Sequence, residues 1–129
     1  MKQIIGQLSW FTAVGCAASA THWLVVVAIV NLASLAPLVA NIAGWIVAFG
    51  VSFSGHYHLT FRRHEAPAWR AARRFFLVSA TGFGINEISY AYLLHATTIR
   101  YDVLLAAVLI AIAVFTFILS RFWAFGNKI

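Results

Sequence analysis

Glu87 is a carboxylate inside a run of twenty apolar-rich residues, 75–94, and it is the thirteenth residue of that run. If the run crosses a bilayer, Glu87 lies near its middle. There a charge costs about 2.5–3.5 kcal/mol on insertion scales, and an acid is a functional candidate by default. Asn86 precedes it. His22 occupies the equivalent place in an earlier apolar run, so an acid and an imidazole at one depth could pair across a shared axis. Such a pair could carry chemistry, or it could simply hold a helical bundle together.

A second set of groups lies at helix ends. The stretch FSGHYHLTFRRHEAPAWRAARRFF, residues 53–76, holds five of the nine basic residues, Arg62, Arg63, Arg70, Arg73 and Arg74, and three of the five histidines. His56 and Tyr57 fall just before the first two arginines. Near the other end of the chain, Ser120, Arg121 and Trp123 repeat the arrangement. An arginine fork donates two parallel hydrogen bonds to a phosphate. Arg62, Arg74 and Arg121 are therefore the candidate phosphate ligands, with His56, Ser120, Tyr57 and Trp123 beside them. The alternative is that these residues set orientation and anchor helix ends.

Other chemistries lack their signatures. The sequence has no Gly-rich nucleotide loop after a strand, no Walker sequence and no HExxH. Its three carboxylates, Glu65, Glu87 and Asp102, fall in three separate regions, so no catalytic pair is expected. One cysteine, Cys16, excludes an internal disulfide, and the histidines lack the partners of a metal site. No enzyme activity, metal or cofactor is expected.

The composition decides what positions these groups. Of 129 residues, 63% are hydrophobic and 9% charged, with a mean hydropathy of +0.89. A soluble domain carries about 25% charged residues. The expected fold is an all-α integral membrane protein, a single transmembrane domain over 1–129. Four runs have the roughly 20-residue length of a spanning helix, at about 8–30, 38–57, 75–94 and 103–122. The first run continues past the core length of a signal peptide. The net charge of +6 could suggest nucleic acid, but the cations sit at helix ends, so none is expected as a partner. Eight of the nine, all but Arg100, fall on one side of the four-span topology, which places both termini and residues 62–74 in the cytoplasm.

The halves resemble each other. Trp10-Phe11 matches Phe75-Phe76, and FSGHYHLTF at 53–61 matches FILSRFWAF at 117–125. Two helices per repeat give both halves one orientation, so the expectation is two parallel repeats, about 7–62 and 73–126, joined by a basic cytoplasmic linker at about 62–74. Pro67 can open a short helix in that linker that runs into the third span, with Arg70, Arg73 and Arg74 on one face and Trp69, Ala72 and Phe76 on another. Close helix approach is expected at Gly15, Ala17, Ala18 and Ser19 around Cys16, and at Gly82 and Gly84.

These repeated helix ends resemble the GtrA family, small four-helix bacterial membrane proteins whose helices end in Phe-x-x-Asn-Arg-x-Trp-x-Phe. The second copy keeps Phe117, Arg121, Trp123 and Phe125, with Ser120 for Asn. The first keeps Phe53, Phe61 and the following Arg62, with His56 for Asn and Tyr57 for Arg. The resemblance covers about 7–126. It implies a flippase or translocation component for a polyprenyl-phosphate-linked sugar, such as undecaprenyl-phosphate glucose, in cell-surface polysaccharide glycosylation at the bacterial inner membrane. The alternative is a membrane anchor or activating subunit of a polyprenyl-phosphate glycosyltransferase, which would show no continuous polar track. A small proton-coupled exporter is a third reading, but such exporters carry their carboxylate in the first helix. Four helices hardly enclose a path for a sugar, so the expected partners are anionic lipid, the lipid-linked sugar, further copies of the chain and a glycosyltransferase.

Overall fold

The computed structural model describes residues 2–60, 67–119 and 122. Among them are four α-helices and no strand. They are α1, Lys2–Ala33; α2, Pro37–Gly55, continued by a π-helical turn at His56–Thr60; α3, Ala68–Ala96; and α4, Tyr101–Leu119. Connections of three and four residues, 34–36 and 97–100, make each pair an antiparallel hairpin. We call the end carrying these two connections the hairpin end, and the opposite one, with Lys2, the π turn and Pro67, the basic end. Each helix packs on its two sequence neighbours, with α1 closing the ring on α4. Contact within each hairpin is more extensive than contact between hairpins.

Local chemistry explains the helix limits. Ser34 takes a left-handed backbone with φ 56°, which stops α1, and Pro37 opens α2 where its missing N–H costs nothing. The carbonyl of Ala36 accepts hydrogen bonds from the N–H groups of Val39 and Ala40. Pro67 does the same for Arg70 and Ala71, so α3 starts at Ala68. Nothing between Pro67 and Phe75 breaks a helix, and the expected linker helix and third span are one element. Glu87 is thus the twentieth of its 29 residues, counted from Ala68.

The outside of the bundle is apolar. Ile88 and Ile110 are 74% and 72% exposed, and Leu24, Ile46 and Val114 are likewise outward. Water would not tolerate this exterior, and lipid would. Four hydroxyls at or near that surface are satisfied within their own helices. Ser9, Thr12, Thr21 and Thr81 each donate to the carbonyl four residues earlier, at 2.7–2.9 Å. Two segments, Ile5–Ala33 and Pro37–Thr60, have the length and hydropathy to cross a membrane, and α4 contributes a shorter apolar stretch, Tyr101–Phe115.

Two apolar clusters hold the ends. At the basic end Phe75, Ala71 and Val78 pack against Phe49, Phe53, Tyr57 and Leu119. At the hairpin end Val26, Ala40, Tyr90, Leu104 and Leu105 form the core. Two long-range bonds pin that end, Trp23 Nε1 donating to the carbonyl of Asp102 at 2.9 Å and Tyr90 Oη to that of Tyr101 at 2.9 Å. The close helix contacts fall elsewhere than expected. A Cβ added at Gly15 or Gly84 would meet nothing within 4 Å, and Cys16 is exposed. At Gly44 it would lie 2.8 Å from His22 Cδ2 and 2.9 Å from the His22 carbonyl oxygen. At Gly55 it would lie 2.6 Å from Val14. These two glycines bring α2 against α1.

Candidate functional site: a polar layer and the cavity above it

Between the two apolar clusters lies a buried polar layer built on Asn41. This residue sits in the second turn of α2 and is fully buried. Its Oδ1 accepts from His22 Nε2 of α1 at 2.7 Å. Its Nδ2 donates to Asn86 Oδ1 at 2.8 Å and to Glu87 Oε1 at 3.0 Å, both on α3. One amide thus uses both its hydrogens and an oxygen lone pair to tie three helices together. Its bond to Oδ1 makes Nε2 the protonated nitrogen of His22. The expected direct pairing of His22 with Glu87 does not form, because Asn41 stands between them. Gly44, one turn further along α2, lets the His22 ring reach that amide.

Above this layer, toward the basic end, all four helices enclose a cavity of about 100 Å³. His22 and Asn86 form its floor. Trp45, Phe49 and Phe83 supply aromatic wall, and Ser19, Ser52 and Ser79 supply hydroxyls. Among the described residues of α4, Leu109, Ile112 and Ala113 reach it. Trp45 is fixed by donating Nε1–H to Ser79 Oγ at 2.8 Å and by stacking on Phe83 with centroids 4.7 Å apart. Toward the basic end the lining reaches His56, which is buried, stacks on Phe11 at 5.0 Å and bonds through Nδ1 to Thr60 Oγ1 at 2.9 Å. The π turn begins at His56, a widening of the helix often found at functional sites.

The other predicted residues divide in two. Tyr57 is half-buried with its ring 5.5 Å from that of Phe53, and Arg74 is half-buried in the second turn of α3. Arg70 and Arg73 are exposed, with guanidinium carbons 5.7 and 5.5 Å from the Trp69 ring centroid. The inward face of this arm is Ala71 and Phe75, and Trp69 and Phe76 face outward. Arg62, Ser120, Arg121 and Trp123 lie outside the described residues, as do Arg63, Phe61 and Phe125. Sequence reasoning did not single out Asn41, Trp45 or the three serines. A polar residue one turn inside a span's end was the available signal for Asn41.

An all-helical bundle with an apolar exterior and a buried polar layer is a membrane protein. The chain belongs to the family described as GtrA/DPMS, transmembrane domain, whose model matches residues 10–125. A search of curated proteins and a search of solved structures gave no match.

Proposed function

We propose that this chain is a translocation component for a polyprenyl-phosphate-linked sugar, working in cell-surface polysaccharide glycosylation. In this reading α1 to α4 cross the bacterial cytoplasmic membrane as two parallel hairpin repeats. Both termini and the basic arm lie in the cytoplasm, as the charge bias requires. The chain makes and breaks no bond. Arg62, Arg74 and Arg121 hold the phosphate at the inner interface.

The observation that carries this reading is the cavity. A subunit serving only as an anchor needs no polar interior, yet polar groups line this bundle from His56 through Ser52 and Ser19 to His22 and Asn86. Its volume is below the roughly 300–1,000 Å³ of a small-molecule pocket. Passage therefore requires the hairpins to part or further copies to complete the path, and a homo-oligomer is part of the proposal. The paired family description, GtrA with DPMS, keeps the glycosyltransferase-subunit reading as the second choice.

Mass spectrometry of lipid retained after mild purification tests the choice. The translocation reading expects a polyprenyl-phosphate sugar bound to the chain alone. A stoichiometric glycosyltransferase with no such lipid would replace it with the anchor reading.

A further inference from the structure

Among the described residues several polar atoms facing the cavity are without partners. Asn86 is 2% exposed, and its Oδ1 is taken by Asn41. Its Nδ2 makes no hydrogen bond among the described residues. His22 is 5% exposed, and with Nε2 donating to Asn41 its Nδ1 is an acceptor with no described partner. Ser19 and Ser52 likewise make no hydrogen bond among the described residues, whereas Ser9, Thr12, Thr21 and Thr81 are all satisfied by their own helices. His22 and Asn86 are buried, and buried polar groups without partners are costly unless a ligand or water completes them.

We propose that this cavity is the chamber for the sugar ring of the lipid-linked substrate, and that it selects an uncharged, polyhydroxylated ring. The proposal rests on the translocation reading above. A sugar hydroxyl both donates and accepts, and the chamber presents a donor at Asn86 Nδ2, an acceptor at His22 Nδ1 and two hydroxyls that do either. The faces of a sugar ring are C–H rich, and Trp45, Phe49 and Phe83 offer apolar aromatic surface beside these groups. Among the described residues no Lys, Arg, Asp or Glu lines the cavity. A phosphate or a uronic acid would enter without a counter-charge, at a desolvation cost the chamber cannot offset. The phosphate therefore stays at the arginine-bearing end and only the ring enters.

The dimensions fit a seam that widens. Its lining runs from Trp45 to His56 along α2 into the π turn and from Phe11 to His22 on α1, eleven helical steps in each case, or about 16 Å. The volume is small for that length, but the seam lies between the hairpins, the pairs in looser contact. Several of its lining residues, Gly15, Ala18, Ala48 and Ala113 among them, are small enough to leave room as the hairpins part.

The test compares binding of farnesyl phosphate, farnesyl-phosphate glucose and farnesyl-phosphate glucuronate to the full chain in nanodiscs of neutral lipid. In the unaltered chain glucose should improve affinity over the bare phosphate about tenfold, the yield of one or two good hydrogen bonds plus stacking. Glucuronate should improve it less than threefold. Ala48→Leu, which fills the chamber, and Asn86→Leu, which removes the donor, should bring the glucose gain to about onefold, with bare-phosphate affinity unchanged within about twofold as the check on folding. The milder Ser52→Ala should lower the gain about two- to fivefold. A tenfold gain that survives all three variants overturns the chamber, as does no gain in the unaltered chain that still binds farnesyl phosphate. Glucuronate binding as tightly as glucose overturns the selectivity. No binding of any of the three overturns the phosphate-binding reading beneath it as well.

Discussion

The two hairpins carry matching sequence patterns and are built differently. The α1–α2 hairpin is drawn tight by Gly44 and Gly55, and it holds the hub Asn41, the two buried histidines and two of the three chamber serines. In the α3–α4 hairpin the polar groups of the layer and the chamber among the described residues, Ser79, Asn86 and Glu87, belong to α3, and the described residues of α4 that line the chamber are apolar. A few polar positions therefore set the two hairpins apart. One half builds a rigid polar seat, and the other presses an acid and a smooth helix against it.

Five substitutions can break or sharpen that contrast. The largest stability effect is expected for Asn41→Leu, which strips partners from His22, Asn86 and Glu87 at once. Three interhelical bonds at about 0.6–1.7 kcal/mol each predict a loss of about 2–5 kcal/mol in detergent unfolding. Gly44→Ala comes next, at about 1–3 kcal/mol, because the added methyl meets the His22 carbonyl oxygen, which cannot rotate away. Its counterpart in the other hairpin, Gly84→Ala, has open space and should hold or raise the melting temperature. Equal losses at both glycines would remove the asymmetry.

Glu87→Gln keeps an oxygen for Asn41 Nδ2 and removes only the charge. It should change stability by less than about 1 kcal/mol while lowering sugar transfer about tenfold. Full transfer activity in that variant would make Glu87 a structural residue. The smallest effect belongs to Arg100→Ala. The Arg100–Asp102 ion pair measures 2.8 Å, but the arginine side chain is 79% exposed, so unfolding should shift by no more than about 0.5 kcal/mol.

The helices were legible in the sequence because apolar runs, Pro37 and the turn composition mark them without tertiary information. The start of α3 was legible too, because Pro67 can open a helix and nothing from Trp69 to Arg74 breaks one, so the basic arm runs on into the span. Helix-facing glycines were hidden. Gly15 and Gly84 sit in runs of small residues yet meet open space, and the isolated Gly44 and Gly55 carry the close approach, because which face turns inward depends on the neighbouring helix. The polar layer was half legible. His22, Asn86 and Glu87 stood out as costly groups in apolar runs, while Asn41, near a span's end, looked affordable there. Its role follows from the depth at which α2 meets α1 and α3.

The most direct measurement of the central claim is transbilayer movement in proteoliposomes. Polyprenyl-phosphate glucose is loaded in one leaflet, and its appearance in the other is followed with a membrane-impermeant periodate that oxidises only exposed sugar. The account predicts appearance at least about tenfold faster than in protein-free vesicles, and slowing toward the protein-free rate in Ala48→Leu. Movement at the protein-free rate with the unaltered chain, in vesicles where it demonstrably binds the lipid, would contradict it.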